Sequence, residues 1–131
     1  MDITRYMRPE EKARLAAFVA GYLACACWTE EPIDDPDEAV DYFYPDELAP
    51  EALARAWADC LVFWQRCAHV IPEGQEEQAG QDFWLTRNGH GAGFWDGDWP
   101  EHGEYLTWRS ERAGELFGGL YRGGDGKLYF G

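Results

Sequence analysis

Basic residues are what this chain is short of. Eleven Lys plus Arg stand against 25 Asp plus Glu, for a formal net charge of −14. Lysine occurs only as Lys12 and Lys127, and no basic residue falls between Arg14 and Arg55. Within that gap stand Glu30, Glu31, Asp34, Asp35, Asp37, Glu38, Asp41, Asp46, Glu47 and Glu51. Charge of one sign repels nucleic acid and anionic membrane, and attracts basic surfaces over roughly 8–10 Å at ordinary salt. Direct nucleic-acid binding is therefore disfavoured, and the expected partner is a basic protein. No apolar run approaches the ~20 residues of a bilayer span, and Met1-Asp2-Ile3-Thr4-Arg5 carries no signal-peptide pattern. The expectation is a cytoplasmic protein without membrane contact.

The chain also lacks a Cys-x-x-Cys pair. Cys25, Cys27, Cys60 and Cys67 fall in segments of helical pattern, and Cys60 and Cys67 are a heptad apart on one face, so buried free thiols are expected rather than zinc ligands. Neither a calcium loop, a Gly-x-Ser-x-Gly elbow nor a phosphate-cradling glycine loop is present. No cofactor, metal or catalytic residue is assigned on this basis.

Apolar mass is plentiful. Hydrophobic residues make up 46% and aromatics 16%, with seven each of Trp, Tyr and Phe, which is too much for a disordered acidic tail. At 131 residues the chain fits one domain, 1–131, with one core.

Ala13, Leu15, Ala16, Val19, Tyr22, Leu23 and Ala26 recur at three-and-four spacing after Pro9-Glu10-Glu11, which predicts a helix over residues 9–28. Pro32, Pro36 and Pro45 with most of the acids predict an acidic loop over residues 29–49. Pro50-Glu51 opens a second apolar stripe through Leu53, Trp57, Cys60, Leu61, Trp64, Cys67 and Ile71, a long helix expected to pair antiparallel with the first. Residues 1–72 are thus a helical half, and residues 73–78 read as a linker. In residues 80–131, Phe83 and Leu85, then Asn88-Gly89-His90-Gly91, then Ala92 and Phe94, read as strand, turn, strand. Glu104 to Phe117 reads as a helix, and two short apolar runs about Gly123-Gly124-Asp125-Gly126 read as a second hairpin. The predicted fold is α+β, two N-terminal helices packed on a small antiparallel sheet built from two hairpins with an intervening helix, ordered ααββαββ.

The run Asp82-Phe83-Trp84-Leu85-Thr86-Arg87-Asn88-Gly89-His90-Gly91-Ala92-Gly93-Phe94-Trp95-Asp96 resembles the near-identical core of a family of small phage and prophage proteins. The resemblance extends more loosely to Gly21-Tyr22-Leu23, Trp28-Thr29-Glu30, Leu48-Ala49-Pro50-Glu51, Asp59-Cys60, Tyr121 and Gly124-Asp125-Gly126-Lys127. The chain departs from such proteins at Gln81, where they often carry His, and at Gly97, where they often carry a more basic residue. The resemblance implies a mobile-element setting and supplies no reaction.

Asp82, Arg87, Asn88, His90, Asp96 and Asp98 are types that can build a general acid/base or divalent-metal site, which leaves a small enzyme using the hairpin of residues 82–98 as one alternative. The structural reading has Asn88 and the glycines shaping a turn, His90 in that turn, and Arg87 paired with Asp82 or Asp96. It leaves Trp84, Trp95 and Trp99 as core, rim or binding surface. The leading functional expectation is a phage-type anti-defence inhibitor, anti-CRISPR-like or anti-restriction. It would use Glu30, Glu31, Asp34, Asp35, Asp37, Glu38, Asp41, Asp46 and Glu47 to cover a basic nucleic-acid-binding surface of a host protein. On a helix Asp34, Glu38 and Asp41 present a charge every ~5–6 Å, sparser than the ~3.4 Å phosphate rise of one DNA strand. Exposed Trp28, Tyr42 and Tyr44 would supply anchoring contacts. A phage structural or interaction protein without inhibitory role is the other alternative. Monomer and homodimer both remain open, the run Leu128-Tyr129-Phe130 being an edge able to pair across a two-fold axis.

Overall fold

Helix α1 spans Pro9–Glu30, opened by Glu10 and Glu11 at the positive end of its dipole. The structure, a computed structural model, describes residues 7–30, 42–88, 93–94, 99–111 and 119–131, with Glu30 described in its backbone alone. A single 3₁₀ turn, Pro45–Glu47, leads into α2, Pro50–Cys67, which starts on a proline as the sequence predicts. A second 3₁₀ turn, Ala68–Val70, ends α2 short of the expected Ile71. Helices α3, Glu76–Arg87, and α4, Gly103–Glu111, follow, then strands β1, Leu120–Arg122, and β2, Leu128–Phe130. The strands are antiparallel in the register Leu120↔Phe130, Tyr121↔Tyr129 and Arg122↔Leu128. Leu48 makes a parallel bridge to Leu128, and the Ala49 N–H donates to the Leu128 carbonyl at 2.9 Å, so the chain entering α2 lies against β2.

The α+β class holds in its coarse form: four helices and one two-stranded sheet among the described residues. The expected first hairpin is corrected, because residues 76–87, including Phe83 and Leu85, form α3. The expected linker over residues 73–78 likewise gives its second half to that helix. The physical reason is the mixed character of what α3 buries. Asp82, Thr86 and Arg87 are buried together with Ala79, Gly80, Phe83 and Trp84, so the inward face prints no apolar 3.6-residue period on the sequence.

The expected antiparallel contact of α1 with α2 is present, with Arg14 at Ile71, Phe18 on Phe63 and Tyr22 on Asp59, but α1 packs more extensively on α3. Gly21 and Gly80 make this possible. A Cβ on Gly21 would collide with the Glu77 carbonyl, and one on Gly80 with the Phe18 carbonyl, so the two backbones touch where side chains would otherwise separate them. Around this crossing the core is aromatic. Phe63 stacks on Phe83 with ring centroids 4.2 Å apart and on Phe94 at 5.7 Å, while Phe18 lies 5.5 Å from Phe63. Tyr22 meets Trp84 edge-on at 5.2 Å. Each such ring contributes about 1.5–3 kcal/mol by leaving water. Among the described residues, no helix is long and apolar enough to cross a membrane.

Candidate interaction surface

Among the described residues, Asp82, Trp84, Thr86 and Arg87 of the tryptophan-rich motif turn their polar groups inward and hold helices together. Asp82 Oδ2 accepts the Trp99 indole N–H at 2.7 Å and the Gln78 amide at 3.1 Å. Trp84, buried, donates its indole N–H to Thr29 Oγ1 at 2.7 Å and so fixes the end of α1. Thr86 Oγ1 accepts the Phe94 N–H at 3.2 Å. Arg87 forms an ion pair with Asp59 of α2, whose other oxygen accepts the Tyr22 hydroxyl at 2.9 Å. Asn88 donates from its amide to the Trp84 carbonyl at 2.9 Å and closes α3. Each of these side chains has a structural partner, and the acid that Arg87 meets on α2 is one the sequence reading did not single out. Its signal was available: Asp59 sits on the apolar stripe of α2, where an acid needs an inward cation. Of the three tryptophans left open, Trp84 and Trp99 are core. His90, Trp95, Asp96 and Asp98 lie outside the described residues.

Burial governs the titration of these groups. It raises the Asp59 carboxyl, with the Arg87 charge and the Tyr22 and Arg87 hydrogen bonds pulling the other way. Burial, then Asp59, pushes the Tyr22 phenol far above its ordinary value and keeps it a neutral donor. Cys25, Cys27, Cys60 and Cys67 are buried thiols, as expected. Desolvation pushes Cys25 up to about 11 and Cys67 up to about 12, and raises Cys60 as well, so these three thiols are poor nucleophiles at neutral pH. Among the described residues, no group of three or more His, Cys, Asp or Glu could hold a metal ion.

The acidic segment is described at its two ends, while Glu31, Asp34, Asp35, Asp37, Glu38 and Asp41 lie outside the described residues. At the first end Trp28 is 71% exposed beside the anchored Thr29. At the second end Tyr42 and Tyr44 are 52% and 56% exposed and flank the buried Phe43. Arg122 of β1 holds this end. Its NH1 donates to Glu47 Oε2 at 2.9 Å and to the Gly126 carbonyl at 2.7 Å, its NH2 to the Tyr42 carbonyl at 3.2 Å, and the guanidinium lies 5.4 Å from the Phe43 ring centre. Glu47 also accepts the Tyr44 N–H at 3.1 Å. Glu47 therefore anchors the loop internally, whereas Asp46 and Glu51 face solvent. Sequence reading missed Arg122, although strand alternation puts it on the same face as the buried Leu120 and so marks it as an inward cation.

Val70, Pro72, Gln75, Trp99, Pro100, Glu101 and His102 line a cleft of about 210 Å³. That is below the ~300–1,000 Å³ of sites that enclose small ligands. Among the described residues, the candidate interaction surface consists of the acidic segment's anchored ends and the adjoining hairpin. No protein-family model, curated protein or solved structure matches the chain.

Proposed function

We propose that the protein is a phage-type anti-defence inhibitor acting in the bacterial cytoplasm. It covers a basic nucleic-acid-binding surface of a host protein, in the manner of anti-CRISPR or anti-restriction proteins, through the acidic residues 30–47. The observation that carries this reading is the concentration of charge: ten acids and no cation in the interval between Arg14 and Arg55, within a chain of net charge −14. Two features support it. The segment is anchored at both ends, by Trp84 on Thr29 and by Arg122 on Tyr42 and Glu47, which lowers the entropy lost on binding. Exposed Trp28, Tyr42 and Tyr44 beside the acids are residue types that dominate binding energy at interfaces. Glu47 belongs to the anchor, so the contact falls to its neighbours. The resemblance of residues 82–96 to phage and prophage proteins supports the setting.

The structural employment of Asp82, Arg87 and Asn88 removes support from an enzyme built on those three residues. The test is a pull-down with the tagged chain from a bacterial lysate containing CRISPR and restriction systems, eluted with a salt gradient. A combined Asp34→Asn, Asp37→Asn, Glu38→Gln and Asp41→Asn variant is run beside it. Capture of a nucleic-acid-binding complex that elutes with salt and is lost in the variant is the expected result. A partner retained equally by the variant overturns the reading, as does the absence of any salt-sensitive partner.

A further inference from the structure

The outward face of the C-terminal hairpin is a preorganised aromatic surface bordered by carboxylates. Alternation turns Leu120, Leu128 and Phe130 into the core, and leaves Tyr121 and Tyr129 directly opposite each other on the other side. Their rings stack with centroids 5.9 Å apart and planes 26° from parallel, and Tyr121 is 50% exposed. The Tyr129 hydroxyl donates to Asp125 Oδ2 at 2.5 Å, while Asp125 Oδ1 accepts the Lys127 N–H at 3.0 Å, so ring and carboxylate are held in one arrangement by the turn. The Tyr129 hydrogen bond keeps the Asp125 carboxyl below its ordinary range, and the same bond pushes Tyr129 up to about 12, leaving a fixed anion beside a neutral Tyr129 ring. Glu51, exposed in the first turn of α2, adds negative potential at Tyr129.

We infer that this face, Tyr121 and Tyr129 with Asp125 and Glu51 at its margin, receives arginine side chains of the basic partner. The inference rests on the proposed function and adds the partner's side-chain chemistry. A guanidinium is planar, so it lies on a ring face and still offers its donor fork to a neighbouring carboxylate; an ammonium is a compact point charge that gains less from the ring. The chain uses this pairing internally. Arg14 lies over Trp64 at 5.2 Å, Arg87 over Phe83 at 5.3 Å and Arg109 over Trp108 at 4.7 Å from the ring centre. Lys127 in the same turn offsets part of the Asp125 charge, so the preference comes from the ring faces more than from net charge. The turn that carries Asp125 is tied to the acidic segment's second end: from the inward side of β1, Arg122 bonds the Gly126 carbonyl of the turn as well as the Tyr42 carbonyl and Glu47 carboxylate. Long-range attraction then comes from the acids, and discrimination between cations from the hairpin.

The experiment is calorimetric titration of the full chain with octa-arginine and with octa-lysine at two salt concentrations, and of the Tyr121→Leu, Tyr121→Phe and four-fold acidic variants. Thermal melts verify that each variant folds. The arginine peptide should bind about threefold or more tighter than the lysine peptide. Tyr121→Leu should abolish most of that ratio, Tyr121→Phe should retain it, and the four-fold variant should weaken both peptides in parallel. Equal binding of the two peptides, or a ratio unchanged by Tyr121→Leu, overturns the hairpin assignment while leaving the acidic segment's role intact. No salt-sensitive binding of either peptide overturns both.

Discussion

Arg87 of α3 and Asp59 of α2 form an ion pair whose side chains are 2% and 4% exposed, and Tyr22 of α1 donates to the same carboxylate. One buried acid thereby joins three helices. Its removal and the removal of its cation have different consequences, because a carboxyl can neutralise itself by taking a proton and a guanidinium cannot.

Asp59→Ala takes the paired carboxylate away from the buried Arg87 and should cost about 3–5 kcal/mol, read by urea denaturation. Arg87→Met strands a carboxyl that burial already raises, and it removes the charge that opposes that rise. In that variant the folded-state value lies above the unfolded one, so the contribution of Asp59 to stability is complete below about pH 4 and is lost as pH rises through the folded value. Arg87→Met should therefore recover stability relative to wild type as the pH is lowered, and Asp59→Ala should not. Parallel pH profiles for the two variants would contradict this assignment.

The crossing of α1 and α3 leaves no room for a methyl group at Gly21 or Gly80, where the obstacle in each case is backbone and cannot rotate away. Gly21→Ala and Gly80→Ala should each lower stability by about 1–3 kcal/mol or more through forced separation of the helices. Gly124→Ala, whose added Cβ would meet nothing within 4 Å, should leave the melting temperature almost unchanged. Thermal melts by circular dichroism compare the three directly.

These residues also explain which parts of the fold were readable in advance. Helices α1 and α2 announce themselves because each begins at a proline and buries one stripe, and the C-terminal hairpin because its turn is built of glycines. Helix α3 buries polar residues together with apolar ones, and Phe83 with Leu85 then imitates a strand. The signals that identify it are chemical: Glu76 and Glu77 in the first turn, Arg87 in the last and Asn88 closing the end. For the candidate site, the exposure of Trp28, Tyr42 and Tyr44 follows from their place beside the acids. The partners of Arg87 and Arg122 are 28 and 75 residues distant in sequence, and only the packing of α2, α3 and β1 reveals them.

Glu76 opens α3 and accepts from Arg14 Nε at 2.9 Å and from the Gly74 N–H at 3.0 Å. Burial opposes its charge, but the Arg14 and Gly74 hydrogen bonds outweigh it and hold the carboxyl below its ordinary value. A depressed folded-state value stabilises above the unfolded pKa, and that stabilisation is lost as pH falls through the folded one. Glu76→Gln should cost about 1–2 kcal/mol at neutral pH, and the gap to wild type should close as pH falls below the ordinary glutamate range. Comparing variant with wild type at each pH isolates this group from the general relief of repulsion as the other acids protonate. A gap that persists at the lowest pH would mean that glutamine loses shape complementarity and not charge.

Arg122 decides whether the acidic segment's second end is held or loose. Its guanidinium satisfies Glu47, the Tyr42 carbonyl and the Gly126 carbonyl together, which a lysine ammonium at the same position cannot reach in one geometry. Glu47 is partly exposed, so once released it returns to water, and the global penalty of Arg122→Ala should be modest, about 1 kcal/mol. The local effect should be larger. The Ala49 N–H, bonded to the Leu128 carbonyl at the junction of loop and hairpin, should exchange its hydrogen about tenfold faster in Arg122→Ala and in Arg122→Lys, while the amides of α3 change little. Faster exchange at Ala49 alone would identify Arg122 as a clamp on the segment, and its loss should then weaken capture of the basic partner although every acid remains in place. Uniformly faster exchange would instead make Arg122 a contributor to global stability, and partner binding should then recover at lower temperature.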